Sequence, residues 1–163
     1  MADILSFPNK GKQYSKSSLQ LITEAFEGLR LAAYRDQGGV LTIGYGHTGH
    51  DVVAGLVITQ AQAETLLAHD IESAANFVIR VVTAVLTQDE FDALVDFVFN
   101  VGSGNFLRST LLSLVNQGKF AQAHDEFEKW DKVAGVENKG LRRRRLSEAE
   151  LFAHGIIDIK VAA

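Results

Sequence analysis

The chain has 163 residues, a length typical of one folded domain, and 47% hydrophobic with 22% charged residues is the composition of a globular protein. Its formal net charge of −4 argues against general nucleic-acid affinity, because phosphate binding needs a basic surface. The absence of cysteine excludes disulfides, thiolate metal sites and a cysteine nucleophile. We expect no stable membrane insertion and no signal peptide, because no long apolar run and no basic start followed by an apolar core occurs.

The first elements in chain order are a leader, a helix and a small sheet. Residues 1–16 are predicted to be extended or loosely ordered. The stretch "SSLQLITEAFEG" has apolar residues at helical spacing, Ser17 with Gln20 matches a capping box, and Gly28 is a suitable stop. The glycine-rich stretch from Arg30 to about Val57 predicts an antiparallel sheet with turns near "DQGG" and "HTGHD".

Helices dominate the rest of the prediction. Thr59 with Gln62 begins a long helix, and Thr87 with Glu90 begins another, which "GSG" at 102–104 interrupts. Three further helices are predicted near Ser109–Asn116, around Phe120–Trp130, and from about Leu141 to His154. The fold class is therefore α+β, mainly helical, in one domain. Residues 17–58 form a small lobe, 59–86 a connecting helix and 87–163 a helical lobe, with a ligand cleft expected between the lobes.

Two carboxylates and a hydroxyl flank the predicted hairpin. Glu27 lies at a helix C-terminus, where the helix dipole and burial both favour the neutral acid. Asp36 lies in the glycine turn, where backbone amides can stabilise its charge, and Thr42 follows on the returning strand. Carboxyls in unlike environments suit glycoside hydrolysis, in which one protonates the leaving oxygen and the other assists water. Taken singly, each is also an ordinary solvated residue.

The segment "FEGLRLAAYRDQGGVLTIGYGHTG" closely resembles the phage-type lysozymes, glycoside hydrolase family 24. The catalytic signature of that family is Glu, eight residues, Asp, five residues, Thr, and Glu27, Asp36 and Thr42 reproduce it. Similar blocks are "ITQAQAETLLAHDI", "LTQDEFDALVDFVFNVGSGNF" followed by "STLLSLVN", and "GLRRRRLSEAELF". The resemblance covers roughly residues 18 to 153, and residues 1–16 have no match.

The resemblance implies a two-lobed lysozyme-like fold and a muramidase that cleaves the β-1,4 bond between N-acetylmuramic acid and N-acetylglucosamine, with inversion and without a cofactor. It implies that Glu27 is the acid and that Asp36 and Thr42 position and activate the water. The other implied site residues are sugar contacts at Phe99 and Asn100, with Gly46 and Thr48 on the opposite wall, an ion pair between His47 and Asp70, and an arginine contacting Glu27, either Arg144 or Arg145.

The resemblance also implies a phage endolysin, with peptidoglycan as its partner and no nucleic acid. We expect a monomer that stays in the host cytoplasm until lysis. Because no export segment is seen, a holin-type pore is implied for its passage to the cell wall.

Other interpretations compete with this one. His47, His50 and Asp51 in "HTGHD" suggest a metal site, but no further ligand is evident, so no metal is predicted. The run Arg142–Arg145 suggests membrane or nucleic-acid binding, yet helical spacing puts Arg144 and Arg145 on the apolar stripe. The alternative functions are a lytic transglycosylase and a wall-binding or membrane-disrupting protein without catalysis.

Overall fold

A computed structural model of the chain describes residues 7–15 and 28–154. The predicted helix before Gly28, with its capping pair Ser17 and Gln20, lies outside these residues, as does the predicted stop at Gly155. The described part is α+β and mainly helical, with a small antiparallel sheet followed by a group of helices. The predicted fold class is therefore confirmed.

The small sheet is built from three strands in sequence order. Strand β1 spans Arg30–Arg35, β2 Leu41–Gly44 and β3 His47–Thr48, all antiparallel. In the "DQGG" turn the Gly39 amide donates to the Asp36 carbonyl at 2.9 Å, and Gly39 has a φ of 80°, a conformation that glycine adopts without steric cost. The predicted hairpin is thus present, and its turn fixes Asp36 between β1 and β2.

Helix α1, Gln60–Val81, connects the sheet to the rest of the chain. Its predicted capping box is present, because the Thr59 hydroxyl accepts from the Gln62 amide and the Gln62 side chain accepts from the Thr59 amide. The helix ends five residues before the predicted boundary at residue 86. Two asparagine side chains hold the segment after α1: Asn9 donates to the carbonyls of Val82 and Ala84, and Asn116 donates to the Val81 carbonyl and accepts from the Thr83 amide.

The following helices form the second lobe. Helix α2 spans Gln88–Val101, begins at the predicted Thr87–Glu90 capping box, and ends at Gly102, whose φ is 88°. A short helix that was not predicted, α3, then begins at once. The remaining elements are α3 Ser103–Leu107, α4 Thr110–Asn116, α5 Phe120–Glu126, a single 3-10 turn Phe127–Trp130, a hairpin of β4 Lys132–Val133 and β5 Val136–Glu137, and α6 Lys139–His154.

Helix α2 is the centre of the helical lobe. Its residues 91–98 are all buried, and the ring of Phe97 makes edge contacts with Phe106, Phe127 and Trp130 at centroid distances of 5.4 to 6.0 Å. This burial includes Asp92 and Asp96, which are both fully inaccessible. Two carboxylates therefore lie inside the helical core, where each needs a partner.

Residues 7–15 of the leader are more ordered than the sequence predicted. Asn9 is 1% exposed, and its side chain also accepts a hydrogen bond from the Leu86 amide at 3.1 Å. The Ser15 amide donates to the buried Asp92 carboxylate at 3.0 Å. Both contacts join residues more than 70 positions apart, so local sequence carried no sign of them. Within the described residues, no helix combines the length and apolarity needed to cross a membrane.

Candidate active site

Asp36 lies exposed in the β1–β2 turn, where the backbone holds its carboxylate. Its Oδ1 accepts from the amides of Gly38 at 2.9 Å and Val40 at 2.8 Å, and its own amide donates to the Val40 carbonyl at 2.9 Å. Two amide donors on one oxygen fix the orientation of the Asp36 carboxyl group. Both bonds use Oδ1, and Oδ2 takes part in neither. The turn therefore presents a fixed anion with one oxygen outside the turn bonds.

Thr42 lies close behind this turn on β2. It is buried, and it stands across from Tyr34 on β1 and from Thr48 on β3. Its hydroxyl donates to the Val40 carbonyl at 3.0 Å. Because its only proton is used in that bond, the hydroxyl can offer a neighbouring water only its lone pairs.

A cleft of about 450 Å³ lies between the turn and the helical lobe. Asp36 lies on one wall, and Asn100 and Arg144 lie on the other, contributed by α2 and α6. The other lining residues belong to the turn, the β4–β5 hairpin and the start of α6: Gln37, Gly38, Val133, Asn138, Gly140 and Leu141. The structure thus brings three predicted site residues together. It also adds the hairpin, which the sequence did not predict.

Three of the predicted sugar contacts lie outside the described lining of this cleft. Gly46 lies in the turn between β2 and β3 with a φ of 83°, and Thr48 is exposed on β3. Phe99 is half-buried, with the guanidinium carbon of Arg144 5.7 Å from its ring centre. Glu27 lies outside the described residues, and so does its expected contact with Arg144 or Arg145.

A buried network of charges lies beneath the Asn100 side of the cleft. Arg144 pairs with Asp96 through two hydrogen bonds, Nε to Oδ2 at 2.9 Å and Nη2 to Oδ1 at 2.7 Å. Nη2 of Arg145 donates to Asn100 Oδ1 at 2.8 Å and to Glu148 Oε1 at 2.7 Å. The prediction that these two arginines face inward is confirmed. Their partners Asp96 and Glu148 were missed, although an aspartate inside the apolar run "FDALVDFVF" was a usable signal.

The two carboxyls of this network have opposite pKa shifts. Burial raises the pKa of Glu148 well above its usual value, and the adjacent Asp96 carboxylate acts in the same direction while Arg145 opposes it. Burial also disfavours the Asp96 anion, but the Arg144 guanidinium, a hydrogen bond with Glu148 and the charge of Arg145 together outweigh burial and lower the pKa of Asp96. The network therefore favours the anion at Asp96 and disfavours it at Glu148.

His47 joins the sheet to the connecting helix. Its Nδ1 lies 2.7 Å from Asp70 Oδ2 on α1, the contact that the family resemblance implied. Its Nε2 lies 3.0 Å from Asp51 Oδ2, so this residue of the "HTGHD" turn is a second acidic partner. Burial lowers the pKa of His47, but the hydrogen bonds to Asp70 and Asp51 outweigh it and the net pKa is raised. No group of three or more candidate metal ligands gathers in the ranges 7–15 and 28–154.

Sequence comparisons relate the chain to known proteins. A family model described as "Phage lysozyme" matches residues 24–148. The chain is 43% identical over 145 residues to an endolysin of Bacillus phage PZA, covering 88% of this chain and 56% of that protein. It is 43% identical over 143 residues to an endolysin of Acyrthosiphon pisum secondary endosymbiont phage 1, covering 85% of this chain and 96% of that protein. The chain thus spans about half the length of the Bacillus phage relatives and nearly all of the symbiont phage protein.

Solved structures show the same fold. The endolysin from Escherichia coli O157:H7 phage FAHEc1 has a TM-score of 0.77 and 35% identity, covering 90% of this chain and 96% of that one. The muramidase domain of SpmX from Asticaccaulis excentricus has a TM-score of 0.77 and 36% identity, covering 86% and 97%. From the family match over residues 24–148 and these relatives, the chain belongs to the phage lysozyme family.

Proposed function

We propose that this chain is a phage endolysin with muramidase activity, which hydrolyses the β-1,4 bond between N-acetylmuramic acid and N-acetylglucosamine in bacterial peptidoglycan. The observation that carries the proposal is the fixed carboxylate of Asp36. Two turn amides hold it in a cleft opposite Asn100 and Arg144, in a chain of the phage lysozyme family. A carboxylate held in this way suits the activation of water in glycoside hydrolysis.

In the proposed reaction Glu27 protonates the glycosidic oxygen as its bond to the anomeric carbon breaks. Water attacks that carbon from the opposite face and gives its proton to Asp36, so the configuration inverts. In inverting glycosidases the two carboxyls lie roughly 6.5–9.5 Å apart, which leaves room for the water. The same separation is expected between Glu27 and Asp36.

Thr42 has a specific part in this scheme. Its hydroxyl donates to the Val40 carbonyl, so towards the water it acts as an acceptor. The water then donates one proton to Asp36 and the other to Thr42, which leaves an oxygen lone pair to attack the sugar. Thr42 therefore orients the nucleophile, while Asp36 also removes its proton.

The remaining roles extend this proposal. Asn100 supports one wall of the cleft, where it is proposed to contact sugar together with Phe99. Gly46 and Thr48 are proposed on the opposite side from the family resemblance. The protein is proposed to act as a monomer, to stay in the host cytoplasm until lysis, and to reach the cell wall through a holin-type pore.

Single substitutions at the two carboxyls test the proposal. Glu27→Gln cannot donate a proton of suitable acidity and Asp36→Asn cannot accept one, so each should lower turnover of purified peptidoglycan by about 10²–10⁴-fold. The side-chain oxygen that remains in Asp36→Asn can still accept the two turn amides, so circular dichroism should show an intact fold. Asp125→Asn, an exposed residue of α5, is the matched control and should keep full turnover. Near-normal rates in either site variant would refute the assigned roles.

A further inference from the structure

Two buried aspartates one helical turn apart have different partners. Asp92 and Asp96 both lie on α2 with no accessible surface. Asp92 faces the leader, because its Oδ1 accepts from the Ser15 amide at 3.0 Å and from the Gln88 side chain at 2.9 Å. Asp96 instead pairs with Arg144, which lines the cleft. On the same helix, Asp92 therefore binds the leader, whereas Asp96 binds an arginine of the cleft.

The pairing of Asp96 with Arg144 fixes the plane of the guanidinium. Both carboxylate oxygens are used, at 2.9 and 2.7 Å, and both side chains are at most 3% exposed. A two-point pair of this kind defines the orientation as well as the distance of an arginine side chain. Because the pair uses Nε and Nη2, Asp96 holds one edge of the guanidinium. Arg144 therefore lines the cleft in an orientation that its pair with Asp96 fixes.

We propose that Asp96 is a positioning residue for this cleft and acts through Arg144. The inference rests on the proposed function, since it assigns a role in the same site. Arg144 has several rotatable bonds, and a fixed partner keeps such a side chain in one geometry, so that less entropy is lost when substrate binds. Asp96 supplies that partner from the core of the helical lobe.

Glu148 has a different part in the network. Its Oε1 accepts from Arg145 at 2.7 Å and lies 3.7 Å from Arg144 Nε, while its Oε2 is buried with no hydrogen-bond partner among the described residues. An ionised carboxylate with an unpartnered buried oxygen is costly, and burial raises the pKa of Glu148 well above its usual value. Burial thus works against the Glu148 anion, whereas the two-point pair with Arg144 favours the Asp96 anion. Glutamine can replace Glu148 more readily than asparagine can replace Asp96.

The test compares Asp96→Asn with Asp92→Asn on soluble peptidoglycan glycan oligomers, well below the unfolding temperature of each variant. Asp96→Asn should lower kcat by about 10- to 100-fold, as misplacement of a site group does. Asp92→Asn changes an equally inaccessible side chain of the same helix, and its partners, the Ser15 amide and Gln88, are not among the residues that line the cleft, so it should keep kcat within about twofold. Glu148→Gln should cost no more than about threefold in kcat. Equal kcat losses at Asp92 and Asp96 would overturn the proposal.

A second test uses the variant Arg144→Lys. Lysine keeps the charge but cannot form the two-point pair, so kcat should fall as in Asp96→Asn. The double variant should be no more than about threefold slower than either single one, because both remove the same interaction. Additive losses would contradict action through Arg144. If Asp96→Asn does not fold, a near-normal kcat in Arg144→Lys would overturn the proposal by itself.

An NMR measurement separates this proposal from the proposed function. In the unaltered protein the Arg144 Nε–H group should give an ordered signal, which Asp96→Asn removes and Asp92→Asn preserves. An unchanged signal in Asp96→Asn would overturn the positioning role, whether or not the protein turns over peptidoglycan. Absence of turnover by the unaltered protein would instead refute the muramidase assignment, and the Arg144 signal would still decide the role of Asp96.

Discussion

Thr42 shows how one hydrogen bond limits the chemistry of a side chain. Because its proton is committed to the Val40 carbonyl, its role towards water is that of an acceptor. Thr42→Val keeps the shape and removes the acceptor, so kcat should fall by about tenfold or more, whereas Thr42→Ser should stay within about threefold of the unaltered protein. Steady-state rates on soluble glycan oligomers measure both. Equal rates for the valine and serine variants would show that the hydroxyl does not orient the water.

The sequence predicted some residues of the site and missed others. Asp36 and Thr42 were predicted because they belong to one local hairpin, whose glycines and spacing are visible in a short window. Asp96 was missed because its partner Arg144 is 48 positions away. Glu148 lies within one helical turn of Arg144 and Arg145, so its spacing was a signal in the sequence that was not used. Buried charges in an apolar run require partners, but the sequence does not say which ones. The pair of Asp96 and Arg144 forms only when α2 and α6 pack together.

At the scale of elements, His47 should make the attachment of the sheet to α1 depend on pH. Its folded pKa is raised, so its contribution to stability is complete below the unfolded value of about 6.5 and is lost as pH rises through the folded pKa. His47 lowers the pKa of Asp51, so that smaller contribution is lost as pH falls through the folded pKa of Asp51. The attachment is thus strongest between about pH 4 and pH 6.5.

Unfolding of His47→Asn in denaturant, followed from pH 4 to pH 9, tests this dependence. The variant should be less stable than the unaltered protein by about 1–3 kcal/mol at pH 5, and the difference should shrink above the folded pKa of His47. The exposed neighbour His50→Asn is the control and should change stability little. A difference that grows with rising pH would contradict the assigned sign.

The break between α2 and α3 depends on one glycine. Gly102 has a φ of 88° with open space around the position of a side chain, so Gly102→Ala should cost about 1–2 kcal/mol through backbone strain alone. Gly104 lies within α3 without such a φ, and Gly104→Ala should be neutral or stabilise by up to about 1 kcal/mol. Thermal unfolding of the two variants measures the contrast. Equal melting temperatures would show that the break tolerates alanine.

Local signals predicted the starts of α1 and α2 but not the end of α1. The capping boxes at Thr59 and Thr87 are formed within four residues, so the sequence shows them directly. The segment that follows α1 is held by Asn9, more than 70 positions away, and by Asn116, more than 30 positions away. The β4–β5 hairpin was missed because its turn places Ala134 at a φ of 49° before Gly135, where Asn-Gly or Asp-Gly would be the usual signal.

At the scale of the whole molecule, the cleft is assembled from distant parts of the chain. The turn at Asp36, the end of α2 at Asn100 and the start of α6 at Arg144 meet only in the folded protein. The sequence predicted two lobes with a cleft between them, because hydrophobic periodicity changes from strand to helix along the chain. The β4–β5 hairpin in the cleft wall and the order of residues 7–15 were not predicted, because both depend on long-range packing.

Product analysis tests the central claim, hydrolysis of peptidoglycan, most directly. Purified peptidoglycan is digested by the unaltered protein, with Glu27→Gln as the inactive control, and the released fragments are identified by mass spectrometry. A hydrolase adds water at the cleaved bond, so the fragments should carry reducing N-acetylmuramic acid ends that are absent from the control digest. Fragments ending in 1,6-anhydro N-acetylmuramic acid would contradict hydrolysis, since they arise when a hydroxyl of the sugar itself replaces water.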